Sequence, residues 1–158
     1  MGASMKIHVR GFGKEHQQNI KDSVRFFADQ LMSSRLTKNM VIEVIHKPNL
    51  SVMAEVGAKD DGRYPKHFKI DIRAANGDDP IVQTLAHEMV HVKQYAKNQL
   101  STRLQRVAKG KGHHYEYVMK WYNKVWEPGK KEDEYWDSPW ELEAYGKEPG
   151  LYHKWLNT

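Results

Sequence analysis

Polar and apolar residues alternate in the first strand of the chain and then follow a helical period. Residues 6–10 alternate strictly, which predicts a strand with Ile7 and Val9 facing a core. From Lys14 to about Met32, apolar residues recur three or four positions apart, as in Ile20, Val24, Phe27 and Leu31. That spacing predicts a long helix packed on a sheet.

Three further strands are predicted before a second long helix. Residues 40–45 are continuously apolar apart from one glutamate, residues 50–56 alternate, and residues 68–73 alternate cleanly. Residues 76–80 read as a turn into a helix over residues 80–95. The order strand, helix, three strands, helix predicts an α+β fold, with a small and mostly antiparallel sheet packed on both helices.

The rest of the chain is predicted to be largely helical. Residues 97–112 read as a basic, irregular segment, and residues 115–125 as a helix with its aromatic residues turned inward. Ser138 suits a helix cap and Pro139 the first helical position, so a last, short helix is expected there. Gly146 and Pro149 are expected to limit its length.

The second long helix contains the sequence His-Glu-Met-Val-His, an H-E-x-x-H pattern. His87 and His91 lie four residues apart, so on a helix they project about 40° from one another on one face. Both imidazoles can then bind one zinc ion, and Glu88 lies beside them as a general base for a water molecule.

A catalytic zinc site needs a third protein ligand and an open position. The chain has no cysteine, so that ligand must be a histidine or a carboxylate. Glu143 is the preferred candidate, because Glu141 has another role as an acid in the first helical turn and Leu142 is expected to face the core. His113 and His114 are the competing candidates.

Composition and charge place few limits on function. The chain has 158 residues, a length that suits one domain, which we expect over residues 5–158. Residues 1–4 look like an expression scar before a second methionine. The net charge is +5. No signal peptide and no apolar run of about 20 residues is seen, so we expect a cytoplasmic protein with no membrane association. Lys109, Lys111, Lys130 and Lys131 form the densest basic group, which allows a weak association with nucleic acid.

The motif helix resembles that of SprT-like metallopeptidases. In those proteins a third zinc histidine often lies in a later His-Gly-x-x-aromatic segment, which residues 113–117 match only in part because His114 stands in place of the glycine. Residues 138–144, Ser-Pro-Trp-Glu-Leu-Glu-Ala, resemble instead the glutamate helix of gluzincins and of phage and bacterial metallopeptidase-like proteins. The resemblance implies a zincin-like fold, with Glu143 as third ligand and an edge strand at residues 68–73.

Together these features predict a zinc-dependent metallopeptidase that hydrolyses peptide bonds, with Glu88 as general base. A protein or peptide substrate would pair with the strand at residues 68–73. Tyr135, Tyr145 and His114 are unranked candidates for stabilising the oxyanion. The alternative is a catalytically silent, zinc-stabilised module that binds nucleic acid or protein.

Overall fold

The computed structural model describes residues 4–74, 78–109, 112–126 and 137–158, which form an α+β fold of four helices and two sheets. No helix in these ranges is long and apolar enough to cross a membrane. The elements in chain order are β1 (Lys6–Arg10), α1 (Lys14–Leu31), α2 (Ser34–Thr37), β2 (Val41–His46), β3 (Ala54–Ala58), β4 (His67–Ile72), α3 (Asp78–Ala96), β5 (Leu100–Lys109), β6 (Gly112–Trp121), β7 (Lys124–Val125) and α4 (Pro139–Leu156).

The first sheet has the strand order β1-β2-β4-β3. β1 pairs with β2 and β2 with β4 in parallel, and β3 alone runs antiparallel beside β4. The prediction of a mostly antiparallel sheet is therefore wrong, because the crossover through α1 returns the chain parallel to β1. The prediction of an edge strand at residues 68–73 is also wrong. β4 lies inside the sheet, and the edge strand is β3.

The core lies between this sheet and the helices. Alternate residues of β2 and β4 are fully buried, and α1 packs beside α3 against them. On its other side α3 packs against α4, whose Ala144 and Leu151 are buried. As a result every residue from 85 to 94 of α3 is buried, which places the H-E-x-x-H segment at the centre of the molecule.

The second sheet is a long hairpin of β5 and β6 with the short strand β7 beside it. The predictions of an irregular segment at residues 97–112 and of a helix at residues 115–125 are wrong. Residues 115–121 alternate Tyr-Glu-Tyr-Val-Met-Lys-Trp, a period of two that fits a strand. Tyr117 is 77% exposed rather than turned inward, so the hairpin stands largely outside the core.

The last helix is longer than the sequence suggests. α4 continues through both Gly146 and Pro149 and ends at Leu156. Its far end is held by Trp155, which packs edge-on against Phe26 of α1. This packing outweighs the local cost of a proline inside a helix.

Candidate metal centre

α3 and α4 bring two histidines and one glutamate together. His87 and His91 project from one face of α3, with their ring centroids 5.0 Å apart. Glu141, in the first turn of α4, lies 3.2 Å from His87 Nε2 through one carboxylate oxygen and 2.7 Å from His91 Nε2 through the other. One ligand atom from each residue lies within 4.8 Å of the others, and all three residues are buried. We call these residues the metal cluster.

Glu143, the predicted third ligand, lies outside the metal cluster. Its carboxylate accepts hydrogen bonds from Lys93 Nζ at 2.6 Å and from Gln94 Nε2 at 3.0 Å. The preference for Glu143 over Glu141 is therefore corrected. It rested on Leu142 facing the core, whereas Leu142 is 60% exposed. The face of α4 that meets α3 instead carries Glu141, Ala144, Glu148 and Leu151, spaced three, four and three residues apart.

The competing histidines belong to the second sheet. His113 and His114 belong to β6, and the His113 side chain lies outside the described part of the chain. His114 Nε2 is 2.7 Å from the Glu116 carboxylate, on the exposed hairpin. Among the described candidates for a third ligand, Glu141 is the one that lies beside both histidines.

The second ring nitrogen of each histidine has its own hydrogen-bond acceptor. His87 Nδ1 is 2.9 Å from the Glu148 carboxylate, and His91 Nδ1 is 2.7 Å from Gln94 Oε1. Gln94 is held in turn by the Trp140 carbonyl oxygen and by Glu143. These contacts favour a proton on each Nδ1, so the two Nε2 atoms, which face Glu141, are the nitrogens that would bind a metal ion.

These outer partners were missed by the sequence analysis, although spacing could have found them. Glu148 follows Glu141 by seven residues and therefore lies on the same face of its helix two turns later. Gln94 follows His91 by three residues on α3. Glu143 has a role here as well, because it fixes the amide that holds His91.

Burial and the neighbouring carboxylates act in opposite directions on the pKa values of the two histidines. Burial disfavours the charged imidazoles, but the hydrogen bonds that they donate to Glu141, together with the negative charges of Glu88 and Glu141, outweigh it, so the pKa values of His87 and His91 are raised. Burial raises the pKa of Glu88 above its ordinary value, although both histidines oppose that change. A carboxyl group with a raised pKa is a better proton acceptor near neutral pH than an exposed glutamate.

This donor set fits a divalent metal ion. Two imidazole nitrogens and a carboxylate are the ligands that zinc takes in catalytic sites, and the second-nitrogen contacts match those that orient metal-binding histidines. No other group of this kind is found in the part of the chain that the structure describes. The three residues that would hold the ion are His87, His91 and Glu141.

The metal cluster opens into a cavity of about 810 Å³. Glu88 lines it together with the cluster, and residues 52–56, including most of β3, also line it. Tyr145 also lines it and packs edge-on against His87, with ring centroids 4.3 Å apart. Of the three oxyanion candidates, Tyr145 borders the site, His114 does not, and Tyr135 lies outside the described residues.

No family model, curated protein or solved structure matches this chain.

Proposed function

We propose that this protein is a zinc-dependent metallopeptidase. The observation that carries the proposal is a two-histidine, one-glutamate cluster that faces an open cavity with a further buried glutamate, Glu88, in its wall. A zinc site that only stabilises a fold usually closes all four positions with protein ligands. A cluster of three donors beside a cavity supports catalysis over the alternative of a silent binding module.

His87, His91 and Glu141 would hold the ion, while Glu148 and Gln94 keep the two imidazoles in place. When bound, zinc would supply Lewis acidity, lowering the pKa of a water molecule toward about 7 and polarising a peptide carbonyl group. Glu88 would accept the proton of that water and then deliver it to the leaving amine. Tyr145, which lines the cavity, would donate a hydrogen bond to the developing oxyanion.

The edge strand β3 offers the substrate a backbone partner. Lys59 N–H bonds to the His67 carbonyl oxygen and Arg73 N–H to that of Met53, so odd-numbered residues of this segment bond to the β4 side. By the alternation of antiparallel pairs, Ala54, Val56 and Ala58 direct their N–H and C=O groups to the free edge. An extended peptide can add to this edge as a further strand beside the metal cluster.

Replacing Glu88 by Gln tests the proposal. We expect the Glu88→Gln protein to bind one zinc ion per chain, as the wild type does, and to hydrolyse oxidised insulin B chain at least about 100-fold more slowly. Zinc content would be measured by mass spectrometry of the native protein and hydrolysis by chromatography of the products.

The matched control is Glu15→Gln, which changes an exposed acid of α1 and should leave both measurements unchanged. A wild-type protein that holds zinc but cleaves no protein or peptide would overturn the enzymatic proposal and leave the silent module. Equal hydrolysis by the wild type and Glu88→Gln would remove Glu88 from the mechanism.

A further inference from the structure

A second cavity, of about 410 Å³, lies beside the first. Tyr95 and Leu100 line both, so the two cavities are adjoining parts of one groove. The second part extends away from the metal cluster, past the end of β3, to a loop at residues 60–65. The groove therefore reaches further from the metal cluster than a single bound residue requires.

The far part of the groove has the free edge of β3 on one side and the free edge of β5 on the other. β5 pairs only with β6 among the described strands, which leaves its other edge open. Tyr122 N–H bonds to the Gln99 carbonyl oxygen, so the odd-numbered residues here bond to β6. Leu100, Thr102 and Leu104 consequently direct their backbone groups outward.

Both sets of outward backbone groups border the same cavity. Ala58 lines it from β3, and Leu100 and Thr102 line it from β5. Tyr95 of α3 also lines this cavity, so β3, α3 and β5 all contribute to its wall. Gly57 adds no side chain to the β3 wall, and the space beside its Cα is open.

We propose that this second cavity binds an extended polypeptide segment of the substrate, remote from the bond that is cut. The segment lies between β3 and β5 as an added strand and bonds to both edges, so that it joins the two sheets. This inference rests on the proposed peptidase function for its ligand, but it concerns a different place and different residues.

The chemistry of the walls favours a polypeptide backbone as the ligand. Unpaired N–H and C=O groups that alternate along two strand edges are complementary to an extended peptide, which carries the same alternation. The cavity wall contains acidic Asp60 and Asp61 together with basic Arg63, so we expect the wall to favour neither acidic nor basic ligands. Recognition through the backbone would therefore tolerate many substrate sequences.

The first experiment removes one outward N–H group. Thr102→Pro deletes the donor at the groove without removing a β5–β6 hydrogen bond, since an edge strand accepts proline at an outward position. We expect kcat/KM for oxidised insulin B chain to fall about fivefold, the effect of one lost hydrogen bond. A four-residue peptide spanning the cleavage site should be cut at the wild-type rate, because it does not reach the second cavity.

Two matched controls separate the groove from the hairpin. Leu104→Pro removes the next outward N–H group of β5, which borders neither cavity, and should leave both substrates unaffected. Thr102→Ala keeps the backbone donor and removes only the hydroxyl group, so it should keep most of the wild-type preference for the long substrate. Wild-type cleavage of the insulin chain by Thr102→Pro, or an equal loss on both substrates, would overturn the proposal.

A second measurement does not depend on a proline variant. In zinc-loaded Glu88→Gln protein, amide hydrogen exchange of Ala58 and Thr102 should slow at least about tenfold when oxidised insulin B chain is added, while Leu104 exchanges as before. Slower exchange at Val56 without any change at Thr102 would overturn the second cavity and leave the proposed function intact. If the wild type cleaves no peptide, the proposed function fails, and exchange at Thr102 alone then decides whether the groove holds a strand.

Discussion

Two buried carboxylates of this protein have opposite surroundings. Glu43, on the outer face of the first sheet, contacts Arg10 at 3.2 Å, Lys59 at 2.8 Å and His67 at 2.7 Å. Glu141 lies 3.2 Å from His87 Nε2 and 2.7 Å from His91 Nε2, and Glu88 and Glu148 lie around the same histidines. One carboxylate is surrounded by basic groups, and the other shares two imidazoles with two more carboxylates.

The two sites differ in the lysine and arginine side chains that contact them. The hydrogen bond from Lys59, with His67 adding to it, lowers the pKa of Glu43 to about 2 even though burial opposes this. At the metal cluster, no lysine or arginine is found among the described contacts of the two histidines, and Lys93 is bound to Glu143 instead. Buried charges need partners, so a cluster with more carboxylates than cations suits a divalent ion.

The largest effect that follows from this contrast concerns two glutamates of α4. Glu141→Gln removes a negative ligand atom from the metal cluster, and we expect zinc affinity to fall by more than about 100-fold. Glu143→Gln leaves the three ligands in place and alters only the support of Gln94, so its affinity should fall by about tenfold at most. Competition with a fluorescent zinc chelator at fixed pH measures both constants.

This pair of variants also decides between two assignments of the third ligand. The residues are separated by one position on the same helix, so differences in helix propensity or net charge cancel between them. A greater loss of affinity for Glu143→Gln than for Glu141→Gln would restore the assignment that the sequence favours. Thermal unfolding with and without a chelator would establish that both variants remain folded.

The helical part of the molecule was largely readable from the sequence. The first strand, the first helix and the motif helix follow clear periods of two and 3.6 residues, and His87 and His91 lie on one face of the motif helix, as their spacing predicted. These features depend on neighbours in the chain, which the sequence contains. The parallel pairing of β4 with β2 depends on contacts between segments distant in sequence, and there the predictions of a mostly antiparallel sheet and of an edge strand at residues 68–73 were wrong.

The choice between Glu141 and Glu143 also depended on a contact that sequence alone does not specify. The apolar residue Leu142 indicated one inward face for α4, but the helix packs on α3 through Ala144 and Leu151 instead. That face also carries Glu148. The spacing of residues over three turns therefore predicts the packed face of α4 better than the single apolar residue beside Glu141 and Glu143 does. The hairpin was missed because its exposed tyrosines look like core residues of a helix.

The next effect in size concerns Glu148, which accepts a hydrogen bond from His87 Nδ1. Glu148→Gln keeps the length of the side chain but removes its charge, and we expect zinc affinity to fall between about 10-fold and 100-fold. Glu15→Gln again serves as a control, since it removes one equal charge from an exposed site. Unchanged zinc affinity in Glu148→Gln would mean that Glu148 does not orient the histidine.

The smallest effect concerns Glu43, whose carboxylate contacts basic side chains of the protein itself. Glu43→Gln should lower the free energy of unfolding at pH 7 by about 1 kcal/mol, because Arg10 and Lys59 are substantially exposed and water weakens their attraction. The pKa of Glu43 is lowered on folding, so its contribution is complete above the pKa of an unfolded glutamate, about 4.3, and is lost as the pH falls toward the folded value of about 2. The free energies of unfolding of the wild type and the variant, measured by urea denaturation, should therefore converge progressively as the pH falls from about 5 to below about 2. Since no metal is involved, adding a chelator should not change their difference, and a difference that depends on zinc would mean that the two clusters are coupled.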